Sequence, residues 1–151
     1  MNHNNKMNIA PTKGKLAILT PGMGAVATTI YAGVEAIRKG LSEPIGSYTQ
    51  MGKLRLGKRS ENCYKLVKDL VPLANLNDVV FGGWDVFPEN AYDAAKHAQV
   101  IERDILEGTK ECLQKIKPMS AVFDPNYIKN ITGPNVKKYS NKMEAAEMLR
   151  K

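Results

Sequence analysis

With 151 residues, 43% of them hydrophobic and 25% charged, the chain is long enough for one domain with a real core and too short for two comfortable ones. No apolar stretch approaches the roughly 18 to 20 residues that span a membrane, and the polar opening MNHNNKMNIAPTKG lacks the apolar centre of a signal peptide, so a cytoplasmic protein with a flexible leader over residues 1–14 is expected. The net charge of +7 raises nucleic-acid binding, but Lys53, Arg55, Lys58, Arg59, Lys65 and Lys68 are poorly interleaved with aromatics and no nucleic-acid motif appears, so they read as a solvated basic face.

The first element is a short apolar run, Leu16-Ala17-Ile18-Leu19, which stops at a Pro-Gly turn and passes into a long helical pattern. Within the turn, Gly22-Met23-Gly24-Ala25-Val26-Ala27 spells G-x-G-x-x-A. Strand, glycine turn and helix in that order place a dinucleotide pyrophosphate on a helix N-terminus. Gly22 permits the tight turn, and Gly24 lets backbone approach the phosphates with no Cβ in the way. The small Ala27 allows close helix–strand packing. The helix is expected to bury Ile30, Val34, Ile37 and Leu41 and to end at Gly40. Taken alone the motif is weak, because a plain βα connection can carry the same glycines; it does not say which dinucleotide is bound.

Residues 42–60 mix Gly, Pro, Ser and basic side chains, with a β-like piece at Lys53-Leu54-Arg55-Leu56. A short helix is expected over 62–70, with Tyr64, Val67 and Leu70 on one side and Pro72 beyond it. Asp78 to Asp85 reads as a buried strand running into a glycine turn, the second parallel strand of a doubly wound sheet. One long helix is then expected from Asn90, its N-cap, to about Ile116, with Asp93 completing an approximate capping box. Its apolar stripe is Ala91, Ala94, Ala98, Ile101, Ile105, Cys112 and Ile116. A third strand is expected over 120–124, closed by Pro125, and a final helix carrying Met143, Glu147 and Leu149, capped by Ser140. Cys63 and Cys112 lie near no histidine cluster, so neither a zinc site nor a disulfide framework is suggested.

The order β–α–excursion–β–α–β–α is the first half of a Rossmann sheet: an α/β fold with a parallel sheet, lacking the fourth strand that would come next. A truncated chain is therefore expected. The acid that usually takes the ribose hydroxyls lies about 20 residues past the glycines. Glu43 has that spacing but sits in a Ser-Glu-Pro turn. Asp85, at the end of the second strand, is the better candidate, and a carboxylate there favours NAD by repelling a 2′-phosphate. It reads equally as a turn residue capping the next segment. Trp84 reads as a packed turn aromatic, and His3 and His97 have no nucleophile or metal partner nearby in sequence.

The sequence resembles the inositol-3-phosphate synthase (myo-inositol-1-phosphate synthase) family, in its bacterial form. The matching stretches are LAILTPGMGAVATTIYAGVEAIRKGL at 16–41, GSYTQMGKLRLGKRSEN at 46–62, VPLANLNDVVFGGWDVFPENAYDAA at 71–95, IKPMSAVFDPNYIKN at 116–130 and GPNVKK at 133–138. Most specific is Gly82-Gly83-Trp84-Asp85, and the family's excursion between first helix and second strand accounts for the long gap before it. The resemblance implies an isomerase that converts D-glucose 6-phosphate to 1D-myo-inositol 3-phosphate by oxidation, aldol cyclisation and reduction, with NAD recycled. It places Gly22, Met23, Gly24, Ala25 and Val26 on the pyrophosphate loop and Asp85 on the adenosine. Many eukaryotic members have a longer, more glycine- and asparagine-rich loop, so the resemblance fixes Gly22 and Gly24 more closely than Ala25 and Val26. The catalytic lysines and aspartates belong to a later domain with no counterpart in residues 1–151, so Lys53, Lys137 and Lys142 read as surface lysines and this segment alone as inactive. The resemblance also implies a homotetramer. Two other readings stand beside it: a standalone NAD-binding module without chemistry, and a basic nucleic-acid binder motivated only by charge.

Overall fold

A computed structural model describes residues 13–124 and 126–150. The leader expected over 1–14 lies, but for Lys13 and Gly14, outside them. In chain order the elements are β1 (Leu16–Pro21), α1 (Ala25–Arg38), a single turn α2 (Tyr48–Met51), β2 (Lys53–Arg55), β3 (Tyr64–Leu66), β4 (Val79–Asp85), α3 (Ala91–Ala98), α4 (Arg103–Leu113), β5 (Met119–Ser120) and α5 (Lys142–Arg150). They form two compact units, one of Ala17–Ser42 with Val80–Lys151, the other of Glu43–Val79 with the stretch up to Leu16.

In the larger unit the strand order is β1-β4-β5. β4 and β5 run parallel, with Trp84 opposite Met119 and Asp85 opposite Ser120. The third strand expected over 120–124 is thus shorter and earlier, and Ala121 instead forms a parallel bridge with Val136. The segment around Val136 is tied down by three backbone bonds: Asn135 N–H donates to Val86 O (2.8 Å), Ala121 N–H to Asn135 O (2.9 Å) and Lys137 N–H to Ala121 O (3.0 Å).

The core gathers Met23, Ala27, Tyr31 and Ala32 with Ala91, Tyr92 and Ala95 of α3 and Leu106 and Leu113 of α4. Phe81 of β4 packs against it, its ring centroid 4.7 Å from that of Tyr31. The buried face of α1 differs from the expected one. Ile30 and Leu41 are about half exposed, and the stripe turned inward is Ala27, Thr28, Tyr31, Ala32, Glu35 and Ala36. Three alanines let the helix approach closely, and each polar member has a partner. Thr28 Oγ1 donates to Gly24 O (3.0 Å), Tyr31 OH bonds Thr20 Oγ1 and Gly82 O, and Glu35 pairs with Arg38. α1 closes as expected on Gly40, at φ 68°.

The single helix expected from Asn90 to Ile116 is two. α3 ends at Gln99, which takes the left-handed conformation (φ 55°), and α4 starts after Glu102. Folding the stripe back on itself brings both halves against α1, which one straight rod could not do. Tyr92 OH donates to Glu107 Oε1 (2.7 Å) across the corner, and Lys110 Nζ lies 5.1 Å from the Tyr92 ring centre. The capping at Asn90 is as expected: its Oδ1 accepts from the N–H of Tyr92 and of Asp93, and its Nδ2 donates to Asp93. At α5 the cap is Asn141, not Ser140. Asn141 Oδ1 accepts from Glu144 N–H (3.0 Å), while Glu144 accepts from Ser140 N–H (2.8 Å).

In the smaller unit β2 and β3 form an antiparallel pair in which Arg55 faces Tyr64. The helix expected over 62–70 is therefore a strand followed by one 3-10 turn, Val67–Asp69. Cross-strand pairing overrides the helical spacing of Tyr64, Val67 and Leu70. The six basic residues named above are all exposed here, and none makes an ion pair with a described residue.

Candidate dinucleotide site

β1 leads into the glycine turn because Pro21 is followed by a residue that must bend sharply. Gly22 has φ 101°, a region L side chains rarely enter. Its N–H donates to Trp84 O (2.7 Å), fixing the turn to β4. Met23 turns inward and is 1% exposed; its side chain is a core plug, a role the spacing did not suggest. Its N–H donates to Asp85 Oδ2 at 2.6 Å. Gly24 caps α1 with extended backbone (φ −76°, ψ −159°) and no side-chain bond. Ala25 and Val26 open the first turn, which holds no acidic residue. Val26 is 78% exposed and lines neither cavity described below.

The two loop glycines have different reasons to be glycine. Gly22 is demanded by backbone conformation. Gly24 has an ordinary φ, and a Cβ built on it meets no protein atom within 4 Å. Neither strain nor packing requires glycine there. By contrast a Cβ on Gly83 would collide with the Thr20 carbonyl of β1. A position kept bare without internal cause, beside an electropositive helix end, suits close approach by an anionic group from outside.

Asp85 ends β4 and faces this loop. Its Oδ2 takes the Met23 N–H, and its Oδ1 takes the Phe87 N–H at 3.0 Å. The capping reading of Asp85 is therefore correct as far as the protein's own bonds go. It does not exhaust the group, since a carboxylate offers about four acceptor sites and two remain. Below it, Asn135 Nδ2 donates to Asp85 O (2.9 Å) and Asn135 Oδ1 accepts from Ser120 Oγ (2.8 Å). Asn135 stitches the ends of β4 and β5, 50 residues from Asp85 and 15 from Ser120, a role with no local signal.

Two cavities meet at Gly24, Asp85 and Phe87. The larger, about 600 Å³, is walled by Gly22, Trp84, Val86, Phe123, Ile128 and Ile131 among others. It opens over the carboxyl ends of the strands, where ligands of open α/β sheets bind. The smaller, about 320 Å³, has Met23, Ala94 and Ala98 with Glu89 and His97 on its lining. Trp84 is thus a half-buried strand residue at a cavity wall. No group of described residues could hold a metal ion, and none of the described helices is long and apolar enough to cross a membrane. Glu43 lies in the other unit.

A glycine turn on a helix N-terminus, with an acid at the end of the neighbouring strand of a parallel sheet, defines a dinucleotide-binding domain of the Rossmann type. The sequence model of the myo-inositol-1-phosphate synthase NAD-binding domain matches residues 16–151. Inositol-3-phosphate synthase 1 of Bacteroides thetaiotaomicron is 49% identical over 146 residues, which are 96% of this chain and 33% of that protein. The rice enzyme of the same name is 35% identical, over 78% of this chain and 25% of its own length. The crystal structure of inositol-3-phosphate synthase from Caenorhabditis elegans superposes with a TM-score of 0.78 at 25% identity, over 93% of this chain and 30% of that one. The chain belongs to the myo-inositol-1-phosphate synthase family and carries its NAD-binding domain. It spans a third or less of the length of these relatives.

Proposed function

We propose that NAD binds with its pyrophosphate over Gly22, Met23, Gly24, Ala25 and Val26 and its adenosine ribose on Asp85. The observation that carries this is the open space around the Cβ position of Gly24, the N-cap of α1, one residue from the N–H that ties the loop to Asp85. The two acceptor sites left on the carboxylate match two vicinal ribose hydroxyls, and its charge disfavours a 2′-phosphate. Bound NAD supplies a hydride acceptor that is regenerated within the turnover. The residues of this segment bind and orient it, and no lysine is among the described residues that line the two cavities.

The full-length protein is accordingly an isomerase that converts D-glucose 6-phosphate to 1D-myo-inositol 3-phosphate, with its acid–base groups outside these 151 residues. The names of the relatives support that activity. The cytoplasmic location and the homotetramer belong to the same proposal. Glucose 6-phosphate turnover that requires NAD and is lost in Gly24→Val would support it. Full activity without NAD, or in Gly24→Val, would overturn it. Turnover by residues 1–151 alone would refute the placing of the chemistry elsewhere.

A further inference from the structure

Among the side chains around the two cavities, Phe87 is exposed without an evident structural reason. It is 49% exposed, contributes to both cavities, and stands two residues past Asp85. The other aromatics of the larger cavity, Trp84 and Phe123, are half-buried in its wall.

The backbone of Phe87 is held from both sides. Its N–H donates to Asp85 Oδ1 at 3.0 Å. Pro88 follows and restricts Phe87 to extended conformations. Asn90 then caps α3, so the segment between β4 and α3 has little freedom. One carboxylate thus positions the glycine loop through Met23 and the aromatic through Phe87. Asp85 and Phe87 line the same two cavities, so a group in either that reaches the carboxylate has this side chain on the lining with it.

We infer that Phe87 is a binding residue for the adenine base, its ring forming one face of the adenine subsite in the larger cavity. The inference rests on the proposed NAD geometry and adds to it the residue that grips the base. A purine attached to a ribose on Asp85 reaches the larger cavity, which has this aromatic on its lining. Stacking is suited to the position, since the ring is exposed on a backbone already held by Asp85 and Pro88. Removing an aromatic platform under a base weakens binding by about tenfold.

The test is calorimetric titration of the full-length protein with ADP-ribose, which carries the adenosine and pyrophosphate without the nicotinamide. Phe87→Ala should weaken ADP-ribose about tenfold, Phe87→Tyr should retain it, and Phe87→Leu, which fills similar space without a π face, should fall between. The melting temperature without ligand should be alike in all four proteins. Wild-type affinity in Phe87→Ala would overturn this inference and leave the loop assignment intact. Equal losses in the Tyr, Leu and Ala variants would assign the ring a structural role and overturn it as well. If the wild-type protein fails to bind ADP-ribose, the proposed NAD geometry itself falls.

Discussion

Asp85→Ala should weaken two things that different measurements separate. In the protein alone, the carboxylate accepts two backbone N–H groups, from Met23 at 2.6 Å and Phe87 at 3.0 Å. A hydrogen bond to a charged group contributes about 1.5–3 kcal/mol. Asp85 is half-buried, so the lower end applies and the pair contributes about 3 kcal/mol to local order. Amide exchange is local, and loss of about 1.5 kcal/mol at each amide should raise the exchange of Met23 and Phe87 about tenfold. Amides in the middle of α4, remote from the carboxylate, should hold their protection.

The ligand side follows from acceptor capacity. Two sites remain for ribose hydroxyls, and removing both bonds should weaken NAD about a hundredfold. Asp85→Asn separates the roles. An amide has one acceptor oxygen, and its NH₂ must then face one of the two N–H donors. Exchange should rise at only one of the two amides, with an NAD loss of about tenfold. If both amides stay protected in Asp85→Ala, the latch is wrong. If NAD affinity is unchanged while the amides open, Asp85 is a cap and nothing more.

Gly24→Val should fold, at a cost of no more than about 1 kcal/mol for a poorer N-cap, and should lose NAD binding; the check is a thermal melt beside a titration. Gly83→Ala, whose Cβ meets the Thr20 carbonyl, should destabilise by about 2 kcal/mol or more with expression and melting as the readout. Tyr31→Phe removes a fully buried hydroxyl from Thr20 Oγ1 and Gly82 O and should cost about 1–2 kcal/mol, measured by chemical denaturation. Tyr92→Phe tests a pH effect. Donation of the Tyr92 hydroxyl to Glu107 raises the phenol above its ordinary 10.0 and, together with neighbouring cations, holds the Glu107 carboxyl below its ordinary 4.5. The carboxylate's contribution is present above the unfolded glutamate value and lost as pH falls through the folded one. The phenol's is present below 10.0 and lost as pH rises through its raised value. The stability gap between wild type and Tyr92→Phe should therefore be flat near neutrality and narrow at both extremes; a gap that widens in acid would refute the assignment.

What was legible in the sequence is what depends on local chemistry. Gly22 is glycine because one dihedral demands it, and Asn90 caps because its side chain reaches its own backbone. The parallel strands at 16–19 and 78–85 stand out as apolar runs bounded by turn residues, and they did form. The misplaced features depend on partners distant in sequence. α1 is apolar on two sides, so the spacing of Ile30, Val34, Ile37 and Leu41 was as good a helical stripe as the one chosen. Alanine at 27, 32 and 36 decided it by allowing closer approach. The corner at Gln99 carries no glycine or proline, and only packing against α1 requires it. Tyr64 to Leu66 has helical spacing, and pairing with Lys53 to Arg55 made it a strand.

The candidate site divides the same way. Gly24 and Asp85 were visible because each sits at the end of a recognisable element. Asn135, which braces Asp85 by a bond to its carbonyl, was not, since nothing around it marks what it touches. Phe87 lay hidden between a strong motif and a strong cap. Its N–H bond to Asp85 ties its backbone to the proposed ribose acceptor, and its side chain lines both cavities with that residue. The carboxylate is the hinge of the site: the glycine loop, the aromatic and the two free acceptor sites all meet on one side chain, so one substitution there should disturb all three.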